Sequence, residues 1–161
     1  MIRSSTEITA TEAGMPMIDL YLSESVLDAE DRQVLADRIA RLVREAEGYG
    51  DSRLAASLSW VYLHPMPDTA ITKSGAVPAR PLWRIEVASP TGSLAPDAKP
   101  ALAERLARAC LAAEGTPWDP TDARRVWVLY RDVAVGDWVA GTTVAKAEAI
   151  RDAVARERAA A

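Results

Sequence analysis

The chain has 161 residues, a length that fits one compact domain with a single core. Its net charge is −4 and its basic residues are dispersed, which argues against a nucleic-acid surface, since that requires clustered Lys and Arg. The single cysteine, Cys110, excludes a disulfide framework within one chain and favours a cytoplasmic location. No apolar stretch is long enough to predict a membrane span.

The first predicted element is a polar N-terminal extension, residues 1–15, which lacks the apolar run of a secretory signal. It is either a mobile arm or the result of a start codon placed too early, with translation beginning at Met15. The next segment, 16–22, alternates apolar and polar residues and is therefore predicted to be a β-strand. Its core-facing residues are Ile18, Leu20 and Leu22.

An amphipathic helix and a closing strand complete a first β-α-β unit, residues 16–65. The apolar stripe of the helix consists of Leu35, Ile39, Leu42 and Ala46. Gly48 follows where a helix C-terminus favours a left-handed residue. The closing strand is predicted over Leu58–His64, and its side chains that face away from the helix are Trp60, Tyr62 and His64. Residues 66–80 are predicted to be a proline-containing connector.

A second unit, residues 81–141, repeats this order. The side chains of its first strand alternate between two faces: Trp83, Ile85 and Val87 lie on one face, and Leu82, Arg84 and Glu86 lie on the other. The helical stripe consists of Leu102, Leu106, Ala109 and Ala113. The closing strand is predicted over Arg125–Arg131, and the remaining residues, 142–161, are predicted to form a helical tail.

The two units are copies of each other in an ungapped register of 94 − 27 = 67 residues. Nine of the 22 positions from Leu27 to Gly48 are identical to their counterparts. The identical pairs are Leu27/Leu94, Leu35/Leu102, Ala36/Ala103, Arg38/Arg105, Ala40/Ala107, Arg41/Arg108, Ala46/Ala113, Glu47/Glu114 and Gly48/Gly115. The same offset aligns Trp60 with Trp127. Self-similarity across a helix, a loop and a strand indicates a tandem repeat.

A helical crossover joins parallel strands with a right-handed connection. The predicted fold is therefore α+β: one domain, 16–141, in which tandem β-α-β repeats form a four-stranded mixed sheet with two helices on one face. The open face carries Trp60, Tyr62 and Trp127, which is too much aromatic surface to leave in water. The sequence therefore predicts that other subunits cover this face.

Three segments resemble the tautomerase superfamily: 15–22, 127–133 and the turn 136–138. The resemblance extends from about Pro16 to Gly141, and fused two-copy members of this kind are similar to the cis-3-chloroacrylic acid dehalogenase branch. It implies a tautomerase/MIF-like fold, a homotrimer, and an N-terminal proline that acts as general acid and base. The proline of this chain at that position is Pro16.

Only a free N-terminal proline has this chemistry, because an internal proline nitrogen is an amide without a basic lone pair. If translation begins at Met15, removal of that methionine exposes Pro16 as a secondary amine. An apolar pocket would lower the pKa of this amine toward the operating pH. If residues 1–15 are retained, Pro16 is inert. Pro81, which matches Pro16 in the second copy, is internal in either case and is a structural residue at a strand start.

The specialised residues of the two best-known branches do not survive in this chain. The positions of the dehalogenase arginines, histidine, tyrosine and glutamate are occupied here by Thr91, Leu94, Val43, Leu129 and Ala140. The positions of the 4-oxalocrotonate tautomerase arginines fall on Trp127 and near Leu27. Water attack needs a base that an alanine cannot supply, so the sequence argues against dehalogenation of a haloacrylate.

Substitutes for the missing carboxylate-binding groups are predicted on the open face. The candidate substrate-binding residues on this face are Arg84, Arg125, Arg131 and His64. A further candidate is Trp138, which is predicted to line the proline pocket from the turn 136–138. Each arginine has the alternative of a salt bridge at a subunit interface, and His64 the alternative of an interface hydrogen bond. Neither metal-ligand spacing nor a glycine-rich phosphate loop occurs, so no metal and no cofactor are predicted.

The first functional hypothesis is a tautomerase-like enzyme that uses Pro16 on a small enolisable carbonyl compound. The alternative is a non-catalytic trimeric binding or assembly protein whose proline is silenced by the N-terminal extension. A third hypothesis is a ferredoxin-like regulatory domain, which predicts dimers and no role for Pro16.

Overall fold

The structure is a computed structural model that describes residues 16–161. The predictions for residues 1–15 lie outside the described residues. The strands and helices in chain order are β1 (Met17–Ser23), α1 (Ala29–Ala46), α2 (Arg53–Leu58), β2 (Trp60–Met66), β3 (Trp83–Pro90), α3 (Ala98–Ala113), β4 (Val126–Val133), β5 (Val139–Ala140), β6 (Thr143–Val144) and α4 (Ala147–Ala159). Two short 3-10 helices are present at Asp68–Ala70 and Asp122–Arg125.

The main sheet has four strands in the order β2-β1-β3-β4. Strand pairing is parallel within each repeat, β1 with β2 and β3 with β4, and antiparallel between the repeats, β1 with β3. The predicted α+β fold with a four-stranded mixed sheet is therefore confirmed. The parallel strands of each repeat are direct neighbours, which differs from the split β-α-β arrangement of the ferredoxin-like hypothesis.

Helices α1 and α3 pack side by side over the sheet and form one core with it. The apolar side chains of β1 and β3 that alternate in the sequence are buried beneath the helices: Ile18, Leu20, Leu22, Trp83, Ile85 and Val87. The Asp28 carboxylate begins α1 by accepting a hydrogen bond from the Asp31 N–H at 2.8 Å. Both repeat glycines that follow the helices, Gly48 and Gly115, have positive φ angles, as predicted.

The two closing strands begin later than the sequence predicts. Ser52 accepts a hydrogen bond from the Ala55 N–H and so begins α2, which includes Leu58, and β2 starts at Trp60. Arg125 ends the second 3-10 helix, and β4 starts at Val126. The prediction that Leu58 and Arg125 belong to strands was therefore wrong, because each residue completes a turn that side-chain contacts stabilise.

Helix α4 covers the end of the sheet where α1 stops. It packs on α2 around a second apolar cluster, formed by Tyr49, Ala55, Ile150 and Val154. The Glu157 carboxylate accepts hydrogen bonds from the first N–H groups of α2, at 3.0 Å from Arg53 and 3.1 Å from Leu54. Arg158 donates to the Gly48 carbonyl at 2.9 Å, and Arg151 to the Gly92 carbonyl at 3.3 Å. The last helix thus connects the segment after α1 with the segment after β3.

Candidate active site at the start of the first strand

Pro16 lies immediately before β1 and is buried. Its carbonyl accepts a hydrogen bond from the Trp60 N–H at 3.4 Å, which fixes it against the first residue of β2. Side chains alternate along a strand, so Pro16 is on the same face as Ile18 and Leu20, toward the helices. The proline ring therefore faces the apolar interior at the end of the sheet.

Ser89 of β3 occupies the position that follows the last register pair between β1 and β3, opposite Pro16. The last register pair is Met17 with Ala88, so the next step along the two strands brings Pro16 beside Ser89. Ser89 is buried on the helix-facing side and donates a hydrogen bond to Glu47 Oε1 at 2.9 Å. A buried carboxyl group thus lies one hydrogen-bonded side chain away from Pro16.

Glu47 is the residue that ends α1, and it is only 9 % exposed. Its second oxygen, Oε2, has no hydrogen-bond partner among the described residues. Burial raises the pKa of Glu47 to about 7, although the Ser89 hydrogen bond opposes the shift. The pKa of neighbouring Tyr49 is raised by burial and by the charge of Glu47. The carboxyl group therefore titrates near neutral pH.

The second copy places a glutamate at the same position in a different environment. Glu114, the counterpart of Glu47, pairs with Arg125 and accepts hydrogen bonds from Trp83 Nε1 at 3.0 Å and Thr116 Oγ1 at 2.7 Å. Burial alone would raise the pKa of Glu114, but these donors, Arg125 foremost, lower it. The repeat offset puts Leu58 where the second copy has Arg125. Glu114 therefore forms a salt bridge, whereas Glu47 forms none with the residues that the structure describes.

The open face of the sheet is a grid of aromatic and charged side chains, as predicted. The strand registers arrange it in three rows: Trp60, Met17, Ala88 and Arg131; Tyr62, Asp19, Glu86 and Leu129; His64, Tyr21, Arg84 and Trp127. Trp60 is 61 % exposed and Trp127 is 70 % exposed. A single chain therefore leaves a large aromatic surface uncovered.

Two polar clusters occupy the middle of this face. Arg84 and Arg131 both pair with Glu86, at 2.9 Å in the case of Arg131. The His64 imidazole meets Asp19 Oδ1 at 2.6 Å and stacks on the Tyr21 ring at 4.2 Å. Arg84 also lies over that ring at 4.7 Å.

The structure thus groups three of the predicted substrate-binding residues, Arg84, Arg131 and His64, on the open face. Arg125 lies off that face: its guanidinium binds Glu114 and donates to the Pro81 carbonyl at 2.6 Å. Trp138 lies half-buried in the turn before β5, where its carbonyl accepts a hydrogen bond from the Ala145 N–H at 2.9 Å. Within one chain, these residues are not gathered around Pro16.

A shallow depression of about 190 Å³ lies elsewhere on the molecule. Its lining includes Ser23, Asp68, Arg80 and Pro81. Ser23 ends β1 and Pro16 precedes it, so the depression and Pro16 are separated by the length of the strand, about 20 Å. The depression contains none of the predicted site residues, and its geometry does not bear on Pro16.

Within residues 16–161, no three potential metal-ligating side chains come together. Helices long and apolar enough to cross a membrane do not occur in that part of the chain either. Cys110 is buried, and burial raises the pKa of its thiol, so the reactive thiolate is disfavoured.

Glu47 and Ser89 were not predicted as site residues. Their proximity depends on the pairing of β1 with β3, which joins the two repeats. One signal was available: the repeat alignment pairs Glu47 with Glu114 but Leu58 with Arg125. A glutamate present in both copies with a matching cation in only one of them is a signal that the two sites differ.

No protein-family model and no curated protein sequence matches this chain. Solved structures do. A structure described as the F6 fused 4-OT wild-type asymmetric trimer is 20 % identical, with a TM-score of 0.63 over 83 % of this chain and 98 % of that one. Pt0534 inactivated by 2-oxo-3-pentynoate is 22 % identical, with a TM-score of 0.64 over 83 % and 98 %. MIF2 from Leishmania major is 21 % identical, with a TM-score of 0.58 over 78 % and 95 %.

These similarities define the class of the fold. The chain has the tautomerase/MIF-like fold, which confirms the resemblance predicted from the sequence at the level of the fold. All three structures are covered over nearly their whole length, at 98 %, 98 % and 95 %, and one of them is described as a fused 4-OT.

Proposed function

We propose that this chain is a tautomerase-like enzyme in which Pro16, as the N-terminal residue, acts as general acid and base on a small enolisable carbonyl compound. The observation that carries the proposal is the position of Pro16. It directly precedes β1 in a tautomerase/MIF-like fold, buried on the helix-facing side of the sheet. An amine in such a site has a lowered pKa and is a suitable base near neutral pH.

The reaction needs one proton removed and one delivered. In ketonisation of an enol, the hydroxyl proton leaves the oxygen and a proton is added at the α-carbon. A secondary amine can accept the first proton and supply the second, so no cofactor is required. The proposed location of the enzyme is the cytoplasm, where a chain with one cysteine stays reduced.

Carboxylate binding is a separate part of the proposal. Arg84 and Arg131 are the arginines of the open face, and both pair with Glu86 in the single chain. They lie on the opposite face of the sheet from the side that Pro16 faces, and a substrate carboxylate would also have to compete with Glu86 for them. The proposed substrate is therefore a carbonyl compound that need not be a strong diacid.

The first experiment compares two forms of the protein: a chain beginning at Pro16 and a chain that retains residues 1–15. We expect the Pro16 form to ketonise an enol such as phenylenolpyruvate at least 100-fold faster than the longer form, since only the free amine can transfer protons. Intact mass of the protein from its native host identifies the form that occurs there. Pro16→Ala in the shorter chain is the matched variant, and equal rates for it and the parent contradict the proposal.

A homotrimer is the assembly that we propose, formed through the open face. The support is the exposed aromatic grid, together with a similar fused 4-OT structure that is described as a trimer. If Pro16 is acylated in the native protein, the second candidate function applies: a non-catalytic trimeric binding or assembly protein.

Trp127→Glu is expected to convert the trimer to monomers, because it puts a charge at the most exposed aromatic position of the open face. Val34→Glu is the matched control, since Val34 is 64 % exposed on α1, on the other side of the molecule. Sedimentation velocity at one protein concentration measures both. A Trp127 variant that sediments with the parent protein contradicts assembly through this face.

A further inference from the structure

We propose that Glu47 is a second acid–base group of the Pro16 site, a carboxyl that exchanges protons with the substrate carbonyl oxygen while Pro16 serves the α-carbon. This inference rests on the proposed function and deepens it. It assigns a role to Glu47, a buried acid for which the sequence predicted none.

The geometry supplies the first argument. Glu47 follows the last residue of α1 and accepts a hydrogen bond from Ser89, and the strand register continues from Met17 and Ala88 to Pro16 and Ser89, so the three residues lie at the same end of the sheet. Ser89 binds only Oε1, and Oε2 is buried without a partner among the described residues. A buried polar atom without a hydrogen-bond partner lowers the stability of the fold unless a ligand or a substrate supplies the missing hydrogen bond.

The internal repeat supplies the second argument, because it shows what the same position looks like in a structural role. Glu114 has an arginine, an indole and a hydroxyl as donors. Glu47 has one hydroxyl donor, and Leu58 stands where the arginine would be. The difference is confined to the copy that carries Pro16. The copy with the internal Pro81 has the neutralised glutamate.

With two groups, one proton can be removed from the α-carbon while another is donated to the carbonyl oxygen, so that the substrate does not have to become a free enolate. When Glu47 is protonated, it can donate to the carbonyl oxygen as the Pro16 amine removes the α-proton. The enol then forms with Glu47 as carboxylate and Pro16 as ammonium. In ketonisation the same groups act in reverse, and in either direction proton exchange with water restores the starting protonation states of Glu47 and Pro16. The net change in protons and electrons is zero, so no co-reactant is needed.

The polar and titratable groups around Glu47 come from β3, α1, the loop after α1 and α4. Ser89 faces it from β3, and Arg44 is buried one turn earlier on α1, with its Nε unpartnered among the described residues. Tyr49 follows in the loop after α1, and the positive charge of Arg151 on α4 opposes the rise in the pKa of Tyr49. Burial raises the pKa of Glu47 to about 7, so the acid form is available at neutral pH.

The test uses the chain that begins at Pro16, with the enol substrate above. Glu47→Gln is expected to lower kcat about 100-fold and to remove an inflection near pH 7 from the kcat/KM profile. Ser89→Ala is expected to move this inflection to higher pH, because it removes the hydrogen bond that favours the carboxylate. Glu114→Gln is the matched control and should keep the inflection.

Two results overturn the inference while the proposed function stands. The first is a kcat of Glu47→Gln within twofold of the parent value. The second is a lower kcat with the inflection near pH 7 still present in the kcat/KM profile. A ¹³C NMR titration of the Glu47 carboxyl gives an independent readout, and a midpoint below pH 5 also overturns it. If the parent with a free Pro16 amine shows no turnover, the proposed function fails, and the catalytic role of Glu47 fails with it. Pro16→Ala distinguishes failure of the inference about Glu47 from failure of the proposed function, because this variant is expected to lose activity only if the proposed function is correct.

Discussion

Glu47→Gln is expected to raise the free energy of unfolding by about 3 kcal/mol at pH 8.5 and to leave it nearly unchanged at pH 4. The size follows from the pKa of Glu47, which rises from 4.5 to about 7 on folding, at about 1.4 kcal/mol per unit. Glutamine has the shape and charge of the protonated acid, so it removes the cost of ionising a buried group.

The direction follows from proton binding. Between pH 4.5 and 7 the folded protein keeps the Glu47 proton whereas the unfolded chain loses it, so stability falls as pH rises through this window. Below pH 4.5 both states are protonated, and above pH 7 both are ionised, so the difference between parent and variant is constant there.

Urea unfolding at pH 4, 6 and 8.5, at one protein concentration and with one N-terminus, measures this difference. Glu45→Gln is the control, because Glu45 lies two residues away on α1 and its side chain is 39 % exposed. Its effect should be small at each pH. Parallel stability curves for Glu47→Gln and the parent contradict the assignment of a buried, weakly compensated acid.

Such a result bears on function as well as on stability. A carboxyl that lowers stability at neutral pH breaks the rule that buried charges are paired, and sites that break such rules are often functional. The second repeat demonstrates that the fold offers a stable alternative, since Glu114 has its arginine. A glutamate without an arginine partner at the Pro16 end of the sheet is therefore an argument for a chemical role of Glu47.

The parts of the fold that the sequence predicted are those that depend on local pattern. Alternation located β1 and β3, and the stripes of α1 and α3 identified the core faces. The repeat strengthened each assignment, because two copies had to agree. Apolar periodicity is a direct consequence of burial on one face, so these elements needed no long-range information.

The misplaced residues depend on side-chain contacts that periodicity does not report. Leu58 looked like the start of β2, but Ser52 caps a short helix that includes it. Arg125 looked like a strand residue of the open face, but Glu114 draws its guanidinium to the end of α3. In both cases a hydrogen bond between side chain and turn outweighed the preference of an isolated residue for a strand.

The candidate site was only half predictable for the same reason. Pro16 follows from its place before a strand, whereas the Ser89–Glu47 hydrogen bond joins residues 42 positions apart. It exists because β1 and β3 pair antiparallel, so that the end of β3 meets the start of β1, where α1 also ends. A repeat pattern predicts two similar units, but their mutual pairing is a property of the folded core.

The contribution of the Glu114–Arg125 salt bridge to stability is expected to increase with pH, whereas the contribution of Glu47 decreases with pH. Glu114→Gln is expected to lower the free energy of unfolding by about 2 kcal/mol at pH 7.5, because it leaves the mostly buried guanidinium of Arg125 without its counter-charge. The donors around Glu114 lower its pKa, so its contribution is present above the unfolded value of 4.5 and is lost as pH falls through the folded pKa. Urea unfolding at pH 7.5 and 3 measures the loss.

Arg80→Ala is the matched control for this effect. Arg80 also approaches Glu114, at 4.0 Å, but its side chain is 49 % exposed, so its removal should change stability little. Equal losses for Arg80→Ala and Glu114→Gln would mean that general surface charge, and not the Arg125 pair, neutralises Glu114. The contrast between the two repeats would then disappear, since it requires that one buried glutamate has a committed arginine and the other has none. Opposite pH slopes for Glu47→Gln and Glu114→Gln would instead establish that one position of a duplicated unit holds a structural ion pair in one copy and a titrating buried acid in the other.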